Sequence, residues 1–526
     1  MLDLIPMSAD GALRRRQSIA GRDLLSWQRT SPGKLSADQK ALLIMTQIIA
    51  NTPDRYRTSC RRCVSQSITK ILVLASLAGI PQLSWTSRLA AESSEQPNIV
   101  LIMADDLGYG DLSCYAGDAI KTPVLDQLAS EGIRLTSFYA GCTVCTPSRM
   151  ALLTGAYPAR VGWRGGVVGY GVKPVNGLAP EALTIAEVFQ AAGYATALCG
   201  KWHLGDARSM LPTNQGFTYT YYITKSNNQT KQLYRGTELI EDPFDNRRLT
   251  EQFTAAAIDF IQTNQDKPFF LYVPFTAPHF PAQAHPDFKG RSELGAYGDV
   301  VEELDSRIGQ ILQSLKECGL DEKTCVVFTS DNGPEPGQKK WARAKPFRGL
   351  KWSSLEGGNR VPCLVRWPGV IPAGQVSSEI TAAIDMLPTL AHGCGIDLAK
   401  VANDSPKLDG VNVWNTWIGK PEEAHARRDL LYWDGWAAPQ AIRVGDWKLY
   451  FDRVKEVPGT AAGPVLINLA EDPTEQTDLR NGQPDRVRAL KELAIKRLAD
   501  IEQQAIPLGG PVDNSNATQK RAQWLE

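Results

Sequence analysis

The chain has 526 residues, with 57 Lys plus Arg against 57 Asp plus Glu and 43% apolar side chains. Balanced charge removes any electrostatic pull toward nucleic acid or an acidic surface, and the apolar fraction is that of a folded globular protein. The length exceeds the ~250–300 residues at which one hydrophobic core stops growing, so more than one domain is expected.

Positions 1–67 are polar, Arg-rich and without sustained hydrophobic periodicity. Arg61, Arg62 and Lys70 then precede an apolar run, Ile71–Ile80, which Pro81 closes. A basic flank, a short apolar core and the small pair Ala90-Ala91 resemble a secretory signal peptide. The run is too short to span a bilayer, which takes about 20 residues. Residues 1–91 are therefore expected to be a removed or disordered leader on an exported, periplasmic or secreted, protein without a membrane span. Arg88 and Leu89 suit a cleavage site poorly. The leader's length places the expected translation start downstream of Met1, at Met45.

From Pro97 onward, strand and helix patterns alternate. Asn98–Met103 is a continuous apolar run ending in Ala104-Asp105-Asp106, as suits a strand buried on both faces of a parallel sheet. A helix pattern follows from Thr122, with Pro123 in its first turn and Gly132 as its stop. Further strands are expected at Tyr194–Cys199, Pro268–Val273 and Thr324–Thr329. An amphipathic helix is expected over Tyr297–Leu315, with Val300, Val301, Leu304, Ile308, Ile311, Leu312 and Leu315 on one face. This alternation predicts an α/β domain over 97–425 with a mainly parallel mixed sheet flanked by helices. Beyond residue 425 the pattern changes to short strands at Leu430–Trp433, Gln440–Val444, Lys448–Phe451 and Val465–Leu469, then a helix over Pro484–Gln503. Residues 426–526 are thus expected to form a smaller α+β domain with a short antiparallel sheet, ending in a loosely held Gly/Asn/Gln-rich tail.

Ten cysteines are too thinly spread for a disulfide scaffold. Cys60 and Cys63 fall in the leader, and Cys318–Cys325 is the nearest remaining pair able to form a bridge. Buried inert thiols are the commoner alternative for the rest.

Candidate chemistry stands at the strand ends. Asp105-Asp106 follows one strand, Lys201-Trp202-His203 another, His279 another, and Asp331-Asn332 yet another. In open α/β sheets, sites gather outside the carboxyl ends of the strands, so these residues can converge. Asp105, Asp106, Asp331 and Asn332 offer only oxygen ligands, which suit calcium or magnesium rather than zinc. Alone, an Asp-Asp pair is more often a cap, and Asp-Asn-Gly a turn. Cys142-x-x-Cys145 is open to reading as a redox pair or half a zinc site. However, no His or second Cys-x-x-Cys stands near to complete four zinc ligands, and a redox pair leaves Pro147 and Arg149 unexplained.

Cys145-Thr146-Pro147-Ser148-Arg149, running into Met150-Ala-Leu-Leu-Thr-Gly155, resembles the Cys-x-Pro-x-Arg motif of the type I sulfatases, of the alkaline phosphatase superfamily fold. The resemblance covers Pro97 to about Asp500. It implies a sulfuric ester hydrolase in which a formylglycine-generating enzyme has oxidised Cys145 to formylglycine. It further implies one divalent cation, usually calcium, held by Asp105, Asp106, the converted Cys145, Asp331 and Asn332. By the same resemblance, Arg149 and Lys201 hold the aldehyde hydrate and His203 assists loss of its second hydroxyl proton. His279 and Lys351 bind the sulfate and leaving oxygen. Trp352 departs from the family pattern, standing after Lys351 where a small residue is usual. A further sulfate-pocket residue is not assigned, Ser226 and Asn228 both being near. His285, His392 and His425 are read as structural.

The substrate expected is a sulfated carbohydrate or an aryl sulfate. The sugar is favoured because Tyr219, Tyr221, Tyr222, Tyr234 and Phe244 stand among polar residues, with Trp163, Trp341 and Trp352 near the motif loops; core packing is their alternative role. Two competing functions share the fold: a phosphonate monoester or phosphodiester hydrolase, and a non-catalytic binding protein with Cys145 unconverted.

Overall fold

A computed structural model describes residues 96–510, apart from 116, 402–406, 421–428, 452–453 and 455. The expected leader, its two cysteines, His425, the 425/426 boundary and most of the C-terminal tail lie outside the described residues.

The apolar run after Pro97 forms β1 (Asn98–Ala104), buried along its whole length. Ile99, Leu101 and Met103 enter one core while Val100, Ile102 and Ala104 enter another, so the strand separates two apolar layers. Nine more strands complete the main sheet: β2 (Ile133–Leu135), β3 (Ala195–Lys201), β4 (Tyr219–Ile223), β5 (Leu233–Arg235), β6 (Glu238–Glu241), β7 (Phe269–Pro274), β8 (Thr324–Ser330), β9 (Cys363–Arg366) and β10 (Gln375–Ser377). Their spatial order is β10-β2-β9-β8-β1-β7-β3-β4-β5-β6. The central five, β8-β1-β7-β3-β4, are parallel, while β9 pairs antiparallel with both β8 and β2.

Helices cover both faces, as parallel strands require. Cys145–Thr154 is α2 and Ile185–Ala191 is α3, both packed into the first core. Pro123–Ser130 (α1), Leu249–Thr263 (α4) and Gly295–Glu317 (α5) pack into the second. A separate antiparallel sheet follows, of β11 (Leu430–Trp433), β12 (Pro439–Val444), β13 (Trp447–Tyr450) and β14 (Val465–Asn468). Its apolar face and that of α6 (Pro484–Gln503) extend the first core, through Leu431, Ile442, Leu449, Leu466, Leu490 and Ala494.

Because β1 and β8 pair in parallel register, Ala104 lies opposite Ser330. Asp105-Asp106 and Asp331-Asn332 therefore leave the sheet side by side. Lys201 ends β3, and His279 lies five residues beyond β7 on the same edge. Cys318 and Cys325, the nearest pair able to form a bridge, are free thiols.

Candidate active site

Cys145 opens α2 after the extended Val144, at the helix end whose backbone N–H groups lack intrahelical partners. One turn later, Arg149 sends Nε (3.1 Å) and Nη2 (2.7 Å) to Asp331 Oδ2 and Nη1 to the Lys201 carbonyl. Cys145 Sγ is 3.6 Å from Asp105 Oδ1, and Lys201 Nζ donates to Asp105 Oδ2 at 2.7 Å. Lys351 Nζ donates to Asp106 Oδ2 at 2.8 Å and lies 3.2 Å from Glu335. His279 Nε2 is 3.6 Å from the same Asp106 oxygen. All ten residues singled out from the sequence are buried and converge on this edge of the sheet.

Three carboxylates, Asp105, Asp106 and Asp331, thus face three cationic side chains, Arg149, Lys201 and Lys351. Burial opposes charge on Asp105, but Lys201, His279 and Arg149 outweigh it and hold its carboxyl below the usual range. Burial likewise opposes the Lys351 ammonium, yet Asp106 and its neighbours push its pKa well above the ordinary lysine value. The Cys145 thiol is pushed well above its ordinary range, chiefly by burial, against the pull of Lys201 and Lys351. A thiolate is the reactive form of cysteine, so a thiol here is a poor nucleophile.

The donor set fits a hard cation. Candidate ligand atoms of Asp105, Asp106, Cys145 and His279 lie within 4.8 Å of one another. Asn332 Oδ1 is buried beside them without a hydrogen-bond partner, and such an oxygen is costly unless something satisfies it. Carboxylate and amide oxygens are the ligands of calcium and magnesium. His279 was not among the ligands read from the sequence.

The histidines differ in what they leave free. His203 Nε2 meets the Val168 carbonyl at 2.9 Å, so the ring proton sits there in the neutral form. Its Nδ1 is buried and unpartnered. Burial first, then Lys201, lowers the His203 pKa well below its ordinary value, which keeps the ring neutral and that lone pair free. His279 Nδ1 contacts two acceptors, Asn227 Oδ1 at 3.1 Å and the Phe280 carbonyl at 2.7 Å. That fixes its proton on Nδ1 and turns Nε2 toward Asp106. Thr146 Oγ1, inside the cysteine motif, donates to the His203 carbonyl and accepts from Val168 N–H.

Asp106, His203 and Trp352 have φ of +67°, +60° and +74°. Such backbone costs of order 1–3 kcal/mol per residue, and it persists where surrounding contacts over-determine it. Its clustering here marks these loops as held in place for use.

A cleft of about 430 Å³ opens over Cys145, His203, His279 and Lys351. Ser226 and Asn228, the two unassigned candidates, both line it. So do Tyr170, Phe280 and Trp352. The aromatics expected at 206–248 are corrected: Tyr219 packs on Phe260, Tyr221 on Phe253, and Tyr222 on Tyr234. Trp163 is also wholly buried, its Nε1 donating to the Gly166 carbonyl, and Trp341 lies outside the cleft lining. Tyr170 and Glu335 were missed, since nothing in a glycine-rich loop or a lone glutamate marks them. Asn227 was missed although it stands between Ser226 and Asn228.

A mainly parallel sheet with a buried Cys-x-Pro-x-Arg helix, carboxylates and cations at its carboxyl edge defines the class. The family model described as Sulfatase matches residues 97–396, and the chain belongs to the sulfatase family. It is 35% identical over 451 residues to arylsulfatase A of Homo sapiens, covering 76% of this chain and 87% of that protein. The solved structure of Ps i-CgsB in complex with k-i-k-neocarrahexaose is 28% identical, with a TM-score of 0.68 over 82% of this chain and 97% of that one. The phosphonate monoester hydrolase of Agrobacterium radiobacter, 22% identical with a TM-score of 0.56 over 78% and 96%, shares the fold. The protein is thus a sulfatase enzyme. Among the described residues no helix is long and apolar enough to cross a membrane.

Proposed function

We propose that this sulfatase hydrolyses sulfate esters of carbohydrates through a formylglycine made from Cys145, after export under the 1–91 leader. The observation that carries the reading is the seat of Cys145: first turn of α2, 3.6 Å from Asp105, in a buried setting that disfavours a thiolate. Sγ here marks the place of the side-chain oxygens of the hydrated aldehyde. Formylglycine hydrate supplies two hydroxyls on one carbon, one to displace the alcohol at sulfur and one whose deprotonation then expels sulfate. A divalent cation, calcium by preference, supplies acidification of a hydroxyl and charge neutralisation when bound by Asp105, Asp106, Asp331, Asn332 and residue 145.

The chain's own residues do the rest. Lys201 and Arg149 fix the carboxylates on either side of residue 145 and set positive charge beside its oxygens. His203 Nδ1, neutral and unpartnered, accepts the proton of the second hydroxyl. Lys351 binds the sulfate oxygens and, with His279 once its Nε2 has taken up a proton, delivers a proton to the leaving alcohol. Prepositioned donors of this kind are each worth about 3–4 kcal/mol of transition-state stabilisation. Glu335, paired with Lys351, holds that ammonium at the cleft floor.

Mass spectrometry of the peptide containing residue 145, from protein made with a formylglycine-generating enzyme, tests the reading. Conversion lowers the residue mass by about 18 Da. A fully active protein with an intact thiol sinks the mechanism. Faster turnover of phosphate than of sulfate esters by the converted protein favours a phosphohydrolase instead.

A further inference from the structure

We propose that the mouth of the cleft is a leaving-group subsite for a pyranose ring, walled by Tyr170 and Trp352 and braced by Trp436 from the C-terminal sheet. The inference rests on the sulfate-ester reading of residue 145 and specifies what the ester carries.

Three separate segments supply the rings. Tyr170 lies in the loop Gly165–Gly171, Trp352 follows Lys351, and Trp436 sits in the turn between β11 and β12. Trp352 and Trp436 stack with centroids 5.4 Å apart and planes 28° from parallel. Tyr170 meets Trp352 at 6.0 Å and Trp436 at 5.8 Å. Tyr170 is 57% and Trp436 48% exposed, an outlay of apolar surface in water that a fold does not need for its own packing.

The cluster is built into the backbone. Gly166 N–H donates to the Gly435 carbonyl at 2.7 Å, and Trp352 N–H to the Thr143 carbonyl at 3.0 Å. Asp434 Oδ1 accepts from the N–H groups of Trp436 and Ala438 at 2.8 and 2.9 Å, which sets the turn. A Cβ on Gly435 would lie 2.2 Å from the Trp352 ring, and one on Gly165, whose φ is +117°, 2.8 Å from the Trp436 carbonyl. Close backbone approach therefore fixes where the rings stand. The same loop holds His203 through Val168, so the wall is in register with the chemistry.

Tyr170, Phe280 and Trp352 share the cleft with Cys145, and Ser226, Asn228, Gln229 and Glu335 add polar groups to its lining. A pyranose matches both surfaces, laying its C–H face on the aromatic wall and its hydroxyls against amide and carboxylate. A flat aryl or steroid alcohol would desolvate those polar groups without replacing their hydrogen bonds. Trp436 does not line the cleft; it positions the other two rings.

The test compares kcat and KM of the converted protein and its Y170A, W436A and W436F variants. Substrates are p-nitrophenyl sulfate and a panel of singly sulfated methyl galactosides, glucosides and glucosaminides. The wild type is expected to turn over at least one panel member with a KM below that for p-nitrophenyl sulfate. Y170A and W436A should raise that KM by about tenfold, with kcat moving much less, and W436F should restore it to within about threefold. Turnover of p-nitrophenyl sulfate but of no panel member overturns the subsite and leaves the sulfatase chemistry standing. So does a sugar KM in Y170A equal to that of the wild type; Tyr170 is exposed enough that this variant folds even if W436A does not. Turnover of neither sulfate class by aldehyde-bearing protein overturns the sulfate-ester reading itself.

Discussion

Asn332 Nδ2 donates to Asp106 Oδ1 at 2.7 Å and to the Gly333 carbonyl at 2.8 Å, and its own Oδ1, buried beside them, has no hydrogen-bond partner. Both atoms facing the amide nitrogen are acceptors, so the hydrogen-bond network fixes which way the amide points. An unpaired buried oxygen costs about 1–3 kcal/mol, which a bound cation would recover. N332A in chelator-treated protein is expected to weaken calcium binding about 10–100-fold, read by titration calorimetry. An affinity equal to that of the wild type removes Asn332 from the ligand set.

Cys145 is buried at the base of the cleft and small, so its removal separates chemistry from folding. C145A deletes one small buried atom and should shift unfolding free energy by no more than about 1 kcal/mol. Turnover should fall by at least about 10³-fold, since binding and donors remain but the covalent route is gone. Measurable rates within tenfold of wild type, in protein of unchanged melting behaviour, would place the nucleophile elsewhere.

Much of this site was legible because strands announce themselves. The run Asn98–Met103 reads as a doubly buried strand, and parallel pairing then brings Asp105-Asp106 beside Asp331-Asn332 without further information. The motif Cys145–Arg149 was likewise readable, and α2 then sets its two ends one turn apart and toward the same carboxylates. What escaped was everything fixed by loops meeting across the chain. Tyr170 and Trp436 become a wall only because Gly166 bonds to Gly435, a contact between segments that carry no periodic signal. The tyrosines of β4 misled for the complementary reason. Alternation with polar residues resembles a sugar-binding face, but in a strand it equally marks side chains packed on α4, where Tyr219 and Tyr221 lie.

The buried ion cluster beneath the Lys351 loop was also invisible in sequence. Lys448 Nζ donates to Glu356 Oε1 at 2.9 Å, to Glu475 Oε1 at 2.8 Å and to the Ser354 carbonyl at 3.0 Å. Glu356 further accepts from Tyr139 at 2.5 Å and Tyr432 at 3.0 Å, and Tyr450 donates to Glu475. The lysine comes from β13 and Glu356 from the segment five residues after Lys351, so the small sheet anchors an active-site loop. Removing Lys448 takes its ammonium from the buried Glu475 carboxylate, while Glu356 keeps Arg360 and Arg443 beside it. K448M is expected to cost about 3–5 kcal/mol in urea unfolding and to lower kcat by loosening Lys351. A change below about 1 kcal/mol would show that the cluster is not held together by that ammonium.

Asp111 gives the stability a pH dependence of its own. Burial pushes its carboxyl up to about 7, although Tyr297 Oη, Gly108 N–H and Arg343 N–H all donate to it. In the unfolded chain the group releases its proton near 3.8. Between those values the folded state binds more protons, so the Asp111 contribution is complete at about pH 4 and gone above about pH 7. Its slope is at most about 1.4 kcal/mol per pH unit. The lowered pKa values of buried His203 and His279 pull oppositely over part of this range, because the unfolded chain then binds the extra proton. Glu356, held down to about 2 from an ordinary value of 4.5, acts at the lower edge of the window and below it, its stabilisation being lost as pH falls from there toward 2. The difference between wild type and D111N therefore isolates Asp111: unfolding free energy of D111N relative to wild type should rise from pH 4 to pH 7 and then level. Parallel curves across that range would mean that Asp111 is already ionised in the folded protein, with its three donors outweighing burial.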